Sequence, residues 1–219
     1  MSEIEHRLAD RVPGLVVVGG SAGGIEALLA LVRQLPPTFP GAVVVTQHLG
    51  RRNVYESRLR EVLLRTSALE VDWAEDGARP RAGRIHLTPQ DCAVTFRAGG
   101  EFEVAVDCER PSRAIDRLFG SAARVWGTRA VGVVLSGLLS DGAAGAQAIH
   151  DHGGTVIVQD RTTAGRFDMP DSALRRGIGA LVLPAEAIAD AVVATLSPGA
   201  GDWFRVRAGS AYLASAGAS

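Results

Sequence analysis

Residues 15–24 read LVVVGGSAGG, in which four apolar residues lead directly into a glycine-rich segment around Ser21. The following residues carry apolar side chains at helical spacing, at Ile25, Leu28, Leu29, Val32 and Leu35. Because a continuous apolar run is typical of a strand buried on both faces of a parallel sheet, this stretch predicts a strand, a tight turn at Ser21 and an amphipathic helix. In α/β proteins, reactive groups lie at such turns.

The turn at Ser21 is open to three interpretations. Gly19, Ser21 and Gly23 fit the G-x-S-x-G elbow, in which small neighbours allow a sharp turn that exposes a nucleophilic hydroxyl. Ser is also a preferred helix N-cap, and a glycine-rich turn before a helix can bind phosphate. A dinucleotide site is disfavoured, because G-x-G-x-x-G has no good match and the next strand ends in Gln47 and His48 instead of an acid. A nucleophilic serine is the leading hypothesis.

Further apolar runs indicate strands at residues 42–46, 130–135, 155–158 and, more weakly, 181–183. Helical patterns occupy residues 53–66, 114–125, 143–151, 171–176 and 185–196. This alternation predicts an α/β fold with a doubly wound, mostly parallel sheet, an α/β/α sandwich.

The middle of the chain has a different pattern. Apolar residues alternate with others at Cys92, Val94, Phe96, Phe102, Val104 and Val106, on either side of a Gly-Gly pair at 99–100. Such alternation predicts an antiparallel β-hairpin. We expect it to extend one edge of the sheet or to pack beside it.

The composition of the chain excludes several classes of function. The chain has 219 residues, 47% of them hydrophobic, so it can bury a substantial core. Its formal net charge of -1 lacks the excess of positive charge that is typical of nucleic-acid-binding proteins. It shows neither a targeting segment nor an apolar run that could span a membrane, which predicts a cytoplasmic protein without membrane insertion. The two cysteines, Cys92 and Cys108, lack metal-ligand spacing, and we expect no metal and no cofactor.

The chain divides into three segments by composition. Residues 1–14 are expected to be an N-terminal extension, residues 15–196 one domain, and residues 197–219 a flexible tail rich in Gly, Ala and Ser.

Two further polar residues follow apolar runs in the way that Ser21 does. His48 follows the second run, and Asp141 follows the run at 130–135. Since parallel strands end at one edge of a sheet, the three side chains are expected to meet there and to form a Ser-His-Asp triad. Alternatively, His48 bonds a backbone carbonyl and Asp141 caps the helix that follows it. The chain order Ser, His, Asp differs from that of the α/β-hydrolases, so the elbow does not imply that family.

A set of motifs occurs in order along residues 15–196: VGGSAGG (18–24), VTQHL (45–49), WAEDG (73–77), IHLTP (85–89), GVVLSG (132–137), SDGAAG (140–145), VQD (158–160) and DMP (168–170). Together they resemble the catalytic domain of the bacterial chemotaxis protein-glutamate methylesterases, called CheB. The resemblance implies Ser21 as nucleophile, His48 as general base and then acid, and Asp141 as its orienting partner. It also implies hydrolysis of a γ-glutamyl methyl ester to glutamate and methanol, with glutamine deamidation as a related activity.

Less specific expectations concern the surroundings of Ser21. Backbone N–H groups near Ala22 and at Gly137 and Leu138 are candidate oxyanion donors, and Met169 is a candidate substrate-lining residue. The expected partners are methylated chemoreceptor-like helices. CheB proteins usually carry an N-terminal receiver domain, whereas 14 residues precede the first predicted strand here. The chain therefore resembles a stand-alone form, for which a separate regulatory protein is a candidate partner in signal transduction.

The sequence also departs from the family pattern. Leu138 and Leu139 stand where the family commonly has Met-Gly, and Asp168 replaces a glycine before Met-Pro. These changes keep two alternatives open. The first is a catalytically weakened signalling or binding domain of the same fold, and the second is a phosphate- or nucleotide-binding α/β module.

Overall fold

The structure, a computed structural model, describes residues 12–49, 54–106 and 113–196. For residues 54–57 it describes the backbone only. Residues 1–11 of the predicted extension (1–14) and the whole predicted tail (197–219) lie outside the described residues. Val12, however, is buried against the main body of the fold and belongs to its core.

Seven parallel strands form one sheet in the order β3-β4-β2-β1-β7-β8-β9. They are β1 (Leu15–Gly20), β2 (Ala42–Gln47), β3 (Glu70–Trp73), β4 (Arg84–Leu87), β7 (Ala130–Val134), β8 (Thr155–Gln159) and β9 (Leu181–Leu183). The order reverses between β1 and β7, and the carboxyl ends of strands at such a switch point border a crevice. The predicted doubly wound α/β fold is confirmed.

Helices cover both faces of the sheet, as predicted. They are α1 (Gly24–Gln34), α2 (Val54–Thr66), α3 (Ala114–Trp126), α4 (Ala143–Asp151), α5 (Asp168–Leu174) and α6 (Ile188–Leu196). One core cluster joins alternate strand residues to α1, α2 and α6. The other joins the remaining strand residues to α3, α4 and α5. The result is an α/β/α sandwich.

The predicted hairpin is present as β5 (Cys92–Phe96) and β6 (Phe102–Val106), an antiparallel pair. It forms a separate two-stranded sheet instead of extending an edge of the main one. Its inward residues, among them Val94, Phe96 and Phe102, pack beside α3 in the second core cluster. The hairpin thus covers part of the face that also carries α3, α4 and α5.

Candidate active site

The two neighbouring strands β1 and β2 bring Ser21 and His48 to the same edge of the sheet. Gly20 and Gln47 are paired in the parallel register, and Ser21 and His48 follow them directly. The backbone N–H of His48 donates to the carbonyl of Gly20, with an N···O distance of 2.9 Å. Both side chains are partly exposed at this edge.

His48 and Asp141 are in direct contact. The distance from His48 Nε2 to Asp141 Oδ2 is 2.7 Å, and Asp141 is only 7% exposed. A buried carboxylate at this position fixes the tautomer of the imidazole and stabilises its protonated form. Because Nε2 faces Asp141, Nδ1 is the nitrogen left to accept a proton from a substrate or from Ser21.

The carboxylate of Asp141 is itself held by the first turn of α3. Oδ2 accepts from the backbone N–H of Ile115 at 3.1 Å, and Oδ1 accepts from that of Asp116 at 3.0 Å. These N–H groups lie at the positive end of the helix dipole, which favours a negative charge. The alternative in which Asp141 caps the following helix is wrong, because the N-cap of α4 is Gly142, with no side-chain cap bond.

Asp116 has a role in this arrangement that the sequence did not reveal. Its Oδ1 accepts from the backbone N–H of Gly145 in the first turn of α4, at 2.8 Å. The first turn of α3 is therefore bound by the carboxylate of Asp141, from the loop that leads into α4. The first turn of α4 is bound by the carboxylate of Asp116, from α3. Burial raises the pKa of Asp116, and the nearby charge of Asp141 adds to the effect, while the N–H groups of α4 oppose it. Only the place of Asp116 at the start of a predicted helix could have pointed to it.

Buried polar side chains that were not predicted as site residues hold the turn around Ser21. The amide of Gln47 donates to the carbonyl of Ser21 at 2.6 Å, and Ser136 Oγ donates to the carbonyl of Ala22 at 2.8 Å. The backbone N–H of Ser136 donates in turn to Gln159 Oε1 at 2.8 Å. These contacts fix the backbone of Ser21 between the ends of β1, β2 and β7.

The Ser21 side chain does not act as a helix cap. The N-cap of α1 is Gly23, which has a φ of 76° and makes no side-chain cap bond. The Ser21 backbone N–H donates to the carbonyl of Ser136 at 2.9 Å. This arrangement removes the cap interpretation and leaves the hydroxyl available for chemistry.

The expected oxyanion donors differ in availability. The N–H of Gly137 already donates to the carbonyl of Arg166 at 3.0 Å, so it is not free in this structure. Among the described residues, the Ala22 N–H, which precedes the first turn of α1, makes no hydrogen bond. Ala22 is therefore better placed than Gly137 to donate to an oxyanion.

Leu138, the third expected oxyanion donor, and Met169, the expected lining residue, differ in their exposure. Leu138 is 45% exposed and lies in the loop that leads from Gly137 toward Asp141. Met169 is fully buried, and its sulfur lies where a side chain on Gly137 would stand, so it supports the loop from beneath. The expectation that Met169 lines an open substrate surface needs this correction. A side chain on Gly137 would also approach Ser21 Cβ to 2.9 Å, so the loop passes directly beside Ser21.

Across residues 12–49, 54–106 and 113–196, no three His, Cys, Asp or Glu side chains are grouped as a metal site would need. No helix in these ranges has the length and apolar character to cross a membrane.

Comparison with known proteins identifies the family. The sequence pattern of the CheB methylesterases matches residues 16–192, which is most of the chain. The chain belongs to the CheB methylesterase family. A solved CheB methylesterase catalytic domain from Thermotoga maritima superposes with a TM-score of 0.75 and 31% identity, over 82% of this chain and 97% of that one. The predicted resemblance is confirmed.

Curated CheB relatives carry the name protein-glutamate methylesterase/protein-glutamine glutaminase. One from Moorella thermoacetica is 38% identical over 89% of this chain and 47% of its own length. Another, from Anaeromyxobacter dehalogenans, is 38% identical over 80% of this chain and 51% of its own. This chain spans about half the length of these relatives.

Proposed function

We propose that this chain hydrolyses the γ-methyl esters of glutamate residues in a protein, releasing methanol and leaving glutamate. The observation that carries the proposal is the 2.7 Å contact between His48 and the buried Asp141, at the sheet edge where Ser21 also lies. The names of the relatives support the same reaction.

The reaction proceeds through an acyl-enzyme. Ser21 Oγ attacks the ester carbonyl while His48 takes the hydroxyl proton, and the C–O bond to the methyl group's oxygen then breaks as His48 returns that proton to the departing methanol. A water molecule, deprotonated by His48, attacks the acyl group, frees the glutamate and restores Ser21. Asp141 orients His48 through both steps and stabilises its protonated form.

The developing oxyanion needs donors on the Ser21 side. The Ala22 N–H can donate a hydrogen bond to this oxyanion, and its place at the positive end of α1 favours the negative charge. Glutamine deamidation uses the same steps with ammonia as the leaving group, and the name glutaminase in the relatives favours it as a second activity.

The substrate is a methylated chemoreceptor-like helix. The exposed Leu138 and Leu139 give the rim of the site an apolar character that suits one face of an amphipathic helix. A separate regulatory protein is a further proposed partner.

Two assays on the same variants test the proposal. Wild type is expected to release labelled methanol from a methyl-esterified receptor. It is also expected to gain the mass of the phosphonyl group of a fluorophosphonate, with fluoride and the hydroxyl proton leaving as HF, because His48 makes the Ser21 hydroxyl nucleophilic. Ser21→Ala is expected to lose both. Ser140→Ala, which removes an exposed hydroxyl from the neighbouring loop, serves as the matched control and should keep both.

The outcomes separate the alternatives. Equal labelling of wild type and Ser21→Ala would refute Ser21 as the nucleophile. Tight binding of the methylated receptor without methanol release would support the weakened binding domain instead. A melting temperature raised by nucleotides alone would favour the phosphate-binding module.

A further inference from the structure

A cavity of about 320 Å³ opens at the edge of the sheet opposite to Ser21. Val12, before β1, and Arg129, before β7, lie on its wall, together with the β5–β6 turn and the carboxyl end of α3. Ser21 follows the other end of β1, and six strand residues at about 3.3 Å each place it about 20 Å away. The cavity is therefore separate from the candidate active site.

Three arginines line this cavity, and no acidic residue does. Arg79 forms an ion pair with Glu101, which neutralises its charge. Arg129 Nη1 donates to the backbone carbonyl of Val12 at 3.3 Å, which orients the guanidinium without neutralising it. Among the described residues, neither Arg124 nor Arg129 has a carboxylate partner. The cavity thus presents two uncompensated positive charges.

The same cavity has an aromatic wall. Phe96 and Trp126 meet edge to face, with ring centroids 4.6 Å apart, and both are largely buried. Both rings contribute to the lining of the cavity, and Gly100, with a φ of 93°, lies close to Trp126, since a Cβ on it would come within 3.7 Å of the indole. A flat apolar group in the cavity can pack against the parts of the two rings that line it.

We propose that this cavity binds a small molecule that joins an oxyanion, phosphate or carboxylate, to a flat apolar group. A guanidinium binds either oxyanion through two parallel N–H···O bonds, and two uncompensated guanidiniums match the double charge of a phosphate monoester best. The volume lies at the lower end of the range for small-ligand pockets. Because Val12 and Glu101 already orient two of the three arginines, binding orders few side chains.

Calorimetric titration of the full chain tests the charge requirement. Phenyl phosphate is the probe, with benzoate as the carboxylate arm, phenol as the uncharged arm and inorganic phosphate as the arm without a ring. We expect phenyl phosphate to bind at least about tenfold more tightly than phenol or inorganic phosphate. We also expect the double variant Arg124→Gln/Arg129→Gln to weaken its binding at least about tenfold.

Arg33→Gln is the matched control, since it removes an exposed arginine in the last turn of α1 that does not line the cavity. It should bind phenyl phosphate as wild type does. An absence of saturable binding up to about 10 mM would overturn the proposal. So would equal binding by wild type and the double variant, or an equal loss in Arg33→Gln.

A second measurement places the ligand without relying on the arginine variants. The indole N–H resonance of Trp126, assigned with Trp126→Phe, should move when phenyl phosphate is added to wild type. The resonance of Trp73, on β3, should stay in place. Movement of Trp73 alone would place the ligand elsewhere and refute the site.

Discussion

The carboxylate of Asp141 holds two parts of the candidate site at the same time. One oxygen contacts both His48 Nε2 and the Ile115 N–H, and the other accepts from the Asp116 N–H. The residue thus links the imidazole to the first turn of α3. Any change at Asp141 should affect both the chemistry and the packing of this helix.

Asp141→Asn tests this double role. In the serine-protease triad, the corresponding change lowers kcat by about 10⁴, because the imidazole takes the wrong tautomer, and we expect a loss of at least about 10² here. The amide has a single acceptor oxygen, so one contact to α3 is lost as well, which should lower the free energy of unfolding by about 1–2 kcal/mol. Methanol-release kinetics and urea unfolding measure the two effects.

Asp116→Asn is the control for this change. It alters the neighbouring carboxylate, keeps an oxygen for the Gly145 N–H and makes no contact with His48. We expect it to keep most of its activity. If Asp141→Asn were as active as this control, Asp141 would be a structural residue and the triad hypothesis would fail.

At the scale of an element, the loop between β7 and α4 contains an unusual backbone conformation. Leu139 has a φ of 68°, in the left-handed region where a side chain is disfavoured, and it is 78% exposed. Glycine, which the resemblance described above leads us to expect at this position, adopts such a conformation without strain. Leu138 beside it has no positive φ and is less exposed.

Leu139→Gly should therefore be tolerated. Relief of the left-handed strain, about 1–2 kcal/mol, outweighs the added entropy of a glycine in the unfolded chain, about 0.5–1 kcal/mol, and little buried surface is lost. We expect the free energy of unfolding to stay equal or to rise by up to about 1 kcal/mol. Leu138→Gly, the matched change, should lower it by about 0.5–1 kcal/mol. Urea unfolding that ranked the two variants in the opposite order would contradict this account.

Elements differ in how far the sequence predicts them. The central strands were predicted because strands buried on both faces are continuously apolar. β3 and β4 were missed, since each has four residues and includes polar side chains such as Asp72 and His86. Helix α5 begins at Asp168, earlier than predicted, because Pro170 falls in the first turn, where its missing N–H costs no hydrogen bond.

The part of the candidate site that lies at the ends of the central strands could be predicted from the sequence. Ser21, His48 and Asp141 each follow a buried strand, and the parallel sheet brings those ends together. The contacts of Asp141 with α3 could not be predicted, because they depend on how α3 packs beside a loop 25 residues away in sequence. The engaged N–H of Gly137 and the buried Met169 likewise result from tertiary packing.

At the scale of the whole molecule, a buried histidine couples stability to pH. His86 on β4 is 4% exposed, packs against Phe102, and accepts from the Arg81 N–H through Nε2 at 3.0 Å. Burial lowers the pKa of His86 from 6.5 to about 4, although the negative charge of Asp72 acts to raise it. The folded protein therefore keeps this imidazole neutral at pH values where the unfolded chain protonates it.

The free energy of unfolding should consequently fall as the pH drops from about 6.5 to about 4. Between these values the unfolded state binds the extra proton, so the contribution of His86 is complete above pH 6.5 and about 3 kcal/mol is lost by pH 4. The carboxyl groups with lowered pKa values, Asp76, Glu101 and Asp160, lose their contributions mainly below about pH 4.5. Asp116, whose pKa burial raises, changes the stability in the opposite direction, so the slope due to His86 is the difference between wild type and His86→Gln. Urea unfolding across this range should show a much flatter pH dependence in His86→Gln than in wild type. The exposed His150 provides the control, since His150→Gln should keep the wild-type slope, and an unchanged slope in His86→Gln would show that another group is responsible.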